Sequence, residues 1–287
     1  MKLVRFGPMG QEKPGVLDED GRLRDLSGVV ADIDAETLSS EGLAKLAKRA
    51  LKRLPLVGGN PRLGCPVASV GKLIGIGLNY ADHAAETGLP EPKEPVVFLK
   101  ATSCIQGPND PIVLPKGSTH TDWEVELAVV IGTLARHVSK REALSHVAGY
   151  TIVNDVSERQ FQMARGGTWD KGKGCDTFGP IGPWLVTRDE VPQPQKLDLW
   201  LAVNGVRMQA SNTRHMIFSV AELVSHVSQF MSLHPGDVIA TGTPAGVGMG
   251  RHEDGKPSPR FLRKGDVLTL GVAGLGEQRA EVMAYPR

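Results

Sequence analysis

Long apolar runs are missing from this chain of 287 residues. No stretch approaches the roughly 20 apolar residues of a membrane span. The start, Met1-Lys2-Leu3-Val4-Arg5-Phe6-Gly7, lacks an apolar secretory core. Cysteine is scarce: Cys65, Cys104 and Cys175 lie far apart and form no CxxC pair, which excludes a disulfide framework or a zinc knuckle. An excess of one charge is also missing, with 33 basic against 32 acidic residues. Neither a nucleic-acid surface nor an anionic-membrane surface is expected from that balance. HExxH, Gly-x-Ser-x-Gly, GxGxxG and a Gly-Lys-Ser/Thr ending are all absent. The expectation is a cytoplasmic protein with no nucleic-acid and no membrane partner.

Glycine (34) and proline (20) are abundant, and aromatic residues make up only 5%. With many short apolar runs, this composition predicts a mostly β fold with some α (α+β). Residues 1–68 read as a small N-terminal unit: short strands at 3–6, 15–18 and 22–25, a helical pattern over 34–51, and a Pro/Gly-rich linker at 54–66. Residues 69–287 read as the larger domain. Its expected strands are 73–77, 96–100, 124–131, 149–155, 184–186, 198–203, 238–241 and 267–272. Its expected helices are 79–87, 140–148 and 220–230. No regular βαβα alternation is present, so a doubly wound sheet is not expected.

The most informative run is Trp123-Glu124-Val125-Glu126-Leu127-Ala128-Val129-Val130-Ile131. Strand side chains alternate, so Glu124 and Glu126 share a face about 7 Å apart. Two carboxylates in a half-buried strand repel each other and are costly to desolvate. A hard cation would relieve both penalties, and all-oxygen ligation favours magnesium, manganese or calcium. The same pair also fits a solvated strand face. Asp155 ends the apolar run 149–155 and is a candidate third ligand, or else a helix cap.

Other residues could serve such a site. Arg159 and Gln162 fall on one face of any helical turn after Asp155, where the guanidinium could fork onto a carboxylate; an ordinary surface ion pair is the plainer alternative. Lys173 sits between glycines in Gly172-Lys173-Gly174, where an ammonium could stabilise a developing enolate; one of Lys171 and Lys173 is expected to be merely solvated. His83 and Glu86 have i, i+3 spacing, which suits a general base oriented by a carboxylate, or equally an exposed short helix. Thr241-Gly242-Thr243-Pro244 could present backbone N–H groups and the Thr243 hydroxyl to an anion, or form a tight turn.

Taken together, these residues resemble the fumarylacetoacetate hydrolase family. The matching pieces are Gly77-Leu78-Asn79-Tyr80 with His83 and Glu86, Asp122-Trp123-Glu124-Val125-Glu126-Leu127, Val153-Asn154-Asp155-Val156-Ser157 with Arg159 and Gln162, Gly172 to Pro180, and Thr241 to Pro244. The resemblance implies a rolled mixed β-sheet with a small N-terminal domain, a homodimer, and Mg²⁺ or Mn²⁺ chelating a 2-oxo acid. It implies Glu124, Glu126 and Asp155 as ligands, and His83 and Glu86 on a lid helix (79–89, with Gly88 as hinge). It further implies Lys173 at the reacting centre, and Arg159, Gln162, Thr243 and Tyr80 against substrate. The founding hydrolase has a further aspartate ligand before its histidine, but Gly75 to Asn79 holds no acid. That departure points to the smaller bacterial branches. Among those, the chain is most similar to hydrolases of 2,4-diketo-3-deoxy-L-fuconate or L-rhamnonate, many of which carry a ureidoglycolate lyase label.

The expected reaction is therefore metal-dependent hydrolysis of a 2,4-diketo acid to pyruvate and a hydroxy acid. Decarboxylation, tautomerisation or isomerisation of an oxo-acid, or ureidoglycolate cleavage, on the same site is the alternative.

Overall fold

The computed structural model describes residues 1–87 and 90–286. Strands dominate it, in several mixed sheets with short helices between them.

The principal sheet has eleven strands. Its spine runs in the order Leu23–Asp25, Lys13–Leu17, Lys2–Phe6, Gly179–Thr187, Val147–Asn154, Val125–Ile131, Val238–Ala240, Leu73–Gly77 and Val96–Lys100. The two central strands, Val125–Ile131 and Val147–Asn154, are buried along their whole length. That explains their near-continuous apolar sequence, since a strand covered on both faces has no solvent side on which to alternate. Val238–Ala240 pairs in parallel with Leu73–Gly77 and antiparallel with Val125–Ile131. A second sheet of five strands runs Val206–Asn212, Asp198–Val203, Val267–Val272, Gly276–Met283 and Ile112–Val113. Gln278, buried on Gly276–Met283, donates to the carbonyls of Ile152 and Gly182 and so ties the two sheets together.

The strands expected at 73–77, 96–100, 198–203 and 267–272 form with those bounds. The strands of the 1–68 unit extend the principal sheet, where Lys2 and Leu3 pair with Val186 and Leu185. Other readings need correction. The 54–66 linker contains a strand, Leu63–Gly64, paired with Lys2–Phe6. The 34–51 helix is broken at Ser39, whose extended backbone and hydroxyl cap a second helix, Ser40–Ala47. The 140–148 helix is only a 3-10 turn, Ala143–His146, because Val147 already pairs with Ile131. Strands Val206–Asn212 and Gly276–Met283 were not expected; each buries a glutamine, Gln209 and Gln278, where an apolar residue would have marked the period.

Candidate metal centre and oxo-acid site

Glu124 lies just before Val125–Ile131 and Glu126 within it, while Asp155 directly follows Val147–Asn154. Val125 pairs with Asn154, and the Asp155 N–H donates to the Glu124 carbonyl at 2.9 Å. The register of two adjacent strands thus brings Asp155 against the Glu124–Glu126 pair, from which it is distant in sequence. One carboxylate oxygen from each of Glu124, Glu126 and Asp155 lies within 4.8 Å of the others, and all three side chains are buried.

Cations surround this cluster. Lys173 Nζ is 2.9 Å from Glu124 Oε2 and 2.8 Å from Asp155 Oδ2. Lys100 Nζ holds the other Asp155 oxygen at 2.6 Å and donates to the Val156 carbonyl. Arg159 Nη2 reaches Glu124 Oε1 at 2.7 Å and Asp122 Oδ2 at 2.9 Å, and its Nη1 donates to Gln162 Oε1. Asp122 also accepts the N–H groups of Gly248 and Met249. One buried aspartate thus fixes both the arginine and the 241–250 loop.

The charges do not cancel. Asp122, Glu124, Glu126 and Asp155 are four buried acids, and Lys100, Arg159 and Lys173 are three buried bases. Burial opposes ionisation of Glu124, but Lys173 and Arg159 outweigh it and hold its carboxyl at about 2. Glu126 is the uncompensated member. Burial, then the charges of Asp155 and Glu124, push its carboxyl well above the ordinary range, against the charge of Lys173 and the Gly242 N–H that donates to Oε2 at 2.8 Å. Gly242 supplies that donor at φ +95°, with Asn79 packed so close that a Cβ would meet it at 2.8 Å. Lys173 stays protonated: burial opposes its charge, and Asp155 and Glu124 overcome that. A buried, all-oxygen triad with one surplus negative charge is the donor set a hard divalent cation requires. The residues fit the group.

Above the acids lies a cavity of about 90 Å³, lined in part by Glu124, Glu126, Arg159, Gln162, Lys173 and Thr243. His83 lines it from the helix Ala81–Thr87. Its Nδ1 is 3.1 Å from Glu86 Oε2, and Glu86 Oε1 accepts the Gly246 N–H at 2.9 Å. Asp82 accepts from the Ser211 hydroxyl. Two acids therefore dock this helix on neighbouring elements. The hinge expected at Gly88 lies outside the described residues.

The structure brings eight of the ten expected residues to the triad or the cavity lining; Glu86 touches the site through His83, and Tyr80 is outside the lining. Tyr80 is fully buried and does not line the cavity; its hydroxyl has no hydrogen-bond partner among the described residues. Burial raises its pKa well above the phenol range, with help from the charges of Glu126 and Asp82. Thr243 lines the cavity, but its hydroxyl is already engaged, donating to the Val125 carbonyl and accepting from Gln209. Sequence reasoning passed over Lys100, Asp122 and Gln209. A lysine closing the apolar strand Val96–Lys100 was the one readable signal; the other two are defined only by contacts across the fold.

Residues 72–283 match the family profile described as the C-terminal region of fumarylacetoacetate (FAA) hydrolase. A Burkholderia lata protein bearing only a provisional hydrolase name is 64% identical over 278 residues, covering 97% of both chains. The structure of a 5-carboxymethyl-2-hydroxymuconate delta-isomerase from Mycobacterium smegmatis matches with a TM-score of 0.76 at 32% identity, covering both chains fully. Maleylpyruvate hydrolase from Sphingobium sp. SYK-6, solved with manganese(II) and pyruvate, matches with a TM-score of 0.80 at 29% identity, again over both full chains.

Proposed function

The chain belongs to the fumarylacetoacetate hydrolase family, and from that premise we propose that it is a metal-dependent hydrolase that cleaves the C3–C4 bond of a 2,4-diketo acid, yielding pyruvate and a second acid. The 2,4-diketo-3-deoxy sugar acids, which would leave a hydroxy acid, are the substrates we favour, and a homodimer is the assembly. The observation that carries this reading is the placement of an oriented His83–Glu86 pair over the same cavity as the acidic triad and Lys173.

Glu124, Glu126 and Asp155 would hold Mg²⁺ or Mn²⁺. When bound, the ion would act as a Lewis acid toward the oxygens of a 2-oxo acid. The chain's own residues supply the rest. The Arg159 guanidinium and the Gln162 amide sit where a substrate carboxylate can be oriented. Glu86 accepts a proton-bearing Nδ1 from His83, so the opposite ring nitrogen is the basic one. His83 takes a proton from water, and the hydroxide adds to C4. The C3–C4 bond breaks, its electron pair stays on C3, and the proton returns there to complete pyruvate. Lys173, held charged by Glu124 and Asp155, offers its ammonium to the enolate oxygen formed on the way. The helix Ala81–Thr87 covers the cavity and keeps bulk water from it.

Oxo-acid isomerisation or decarboxylation is the second reading, favoured by the full-length match to an isomerase at 32% identity. Neither reaction needs an attacking water. The variant H83A separates the two. It is expected to lower kcat on a 2,4-diketo acid by roughly 10²–10⁴, or about 3–5 kcal/mol of barrier, with a smaller loss for E86A. Oxaloacetate decarboxylation is expected to be far less sensitive. Equal losses in both reactions, or intact diketo-acid cleavage in H83A, would remove the general-base assignment.

A further inference from the structure

The outer half of the cavity differs from its floor. Outward from Lys173 the lining is Phe98, Trp169, Leu78, Met163 and Met249. Lys173 Nζ lies 5.1 Å from the Phe98 ring centre, and Phe98 packs on Trp169 with ring centroids 5.3 Å apart. Two glycines make this wall possible. A Cβ at Gly75 would lie 2.1 Å from the Phe98 ring, and one at Gly77 would lie 2.5 Å from the Trp169 ring. The mouth is formed by Met163 and Met249, which are 60% and 38% exposed.

No cation is available there among the described residues. Of the basic side chains lining the cavity, Arg159 and Lys173 lie on the floor against its acids, and His83 is paired with Glu86. The nearest cations in sequence are turned elsewhere. Arg165 stacks on Phe161, Lys171 donates to the Arg165 carbonyl, and Arg251 reaches the Met208 sulfur. The charge balance points the same way. Four buried acids face three buried bases, so a divalent cation plus one substrate carboxylate brings the assembly to neutrality. A second carboxylate would lie against aromatic rings and thioethers without a cationic partner, and each part of it taken out of water would be uncompensated.

We propose that the substrate carries a single carboxylate, on the 2-oxo end, and ends in a short neutral tail seated on Phe98, Trp169, Met163 and Met249. This rests on the oxo-acid reading of the same site. The enzyme would then exclude acyl-pyruvates with a distal acid group.

Binding tests this independently of which reaction occurs. Titration calorimetry on the Mn²⁺-loaded protein would compare pyruvate, 2-oxohexanoate and 2-oxoadipate; the last two differ in bearing a distal methyl or a distal carboxylate. 2-Oxohexanoate is expected to bind at least ~10-fold more tightly than 2-oxoadipate. M249R, which places a guanidinium at an exposed position of the mouth, is expected to narrow or invert that ratio while pyruvate affinity is kept. Equal or tighter binding of 2-oxoadipate by the unaltered protein would overturn the proposal and leave the oxo-acid reading intact. Failure of pyruvate itself to bind would overturn both.

Discussion

Glu126 is the residue on which the chemistry of the site turns. Glu124 and Asp155 are each in ion pairs; Glu126 is in none, and only the charge of Lys173 and one backbone N–H offset its burial and two like charges. Its raised pKa means that ionising it costs the metal-free fold. That contribution to stability is present below the ordinary carboxylate range and is lost as pH rises above it. A divalent cation reverses the sign, because it binds the ionised form. Binding is therefore expected to tighten as pH rises and to release about one proton, read by calorimetry in buffers of different ionisation enthalpy. E126Q keeps the volume but loses the charge. It is expected to weaken binding by roughly tenfold or more, about 1.4 kcal/mol or above, and to abolish proton release. Unchanged affinity in E126Q would take Glu126 out of the ligand set.

Among the elements, the helix Ala81–Thr87 carries the base, and hydrogen bonds from two of its acids help to dock it. Asp82 and Glu86 reach Ser211 and the Gly246 N–H, while Asn79 anchors its N-terminal approach through the carbonyls of Phe218 and Thr241. An element held by a few partly exposed hydrogen bonds opens at low cost. Its amides are expected to exchange faster than those of Val125–Ile131, and to slow when oxalate and Mn²⁺ are added. Equal protection with and without oxalate would argue against a lid. The same helix illustrates what was legible. Its i, i+3 pair could be read directly, as could the Glu-x-Glu strand, because both signals are local. The 140–148 segment misled because its helical spacing is confined to one 3-10 turn before Val147 enters the sheet. Lys100 could not be assigned a role from sequence, since its partner Asp155 is 55 residues away and meets it only once the sheet is built. Tyr80 sits one residue before the helix, and it is buried in the core outside the cavity lining.

For the whole molecule, the site is a product of the sheet. Its three acids lie on or beside neighbouring central strands, and those strands are flanked by pairing that begins at residue 2. Leu3, Val16, Leu26 and Leu38 are fully buried in the same apolar cluster as the central strands. Removing residues 1–68 exposes that surface and the edge of Gly179–Thr187. The 69–287 fragment is expected to lose cooperative unfolding in denaturant, and a transition with an unchanged midpoint would show instead that the N-terminal strands are dispensable. Among the described residues no helix is long and apolar enough to cross a membrane. The central claim is that the buried acids hold a cation essential for carbon–carbon cleavage, and its most direct test is pyruvate release from a neutral-tailed 2,4-diketo acid by EDTA-treated protein, before and after Mg²⁺ or Mn²⁺ is restored. The account predicts no release above background without metal and recovery on adding either ion. Full activity in the metal-free protein would contradict it.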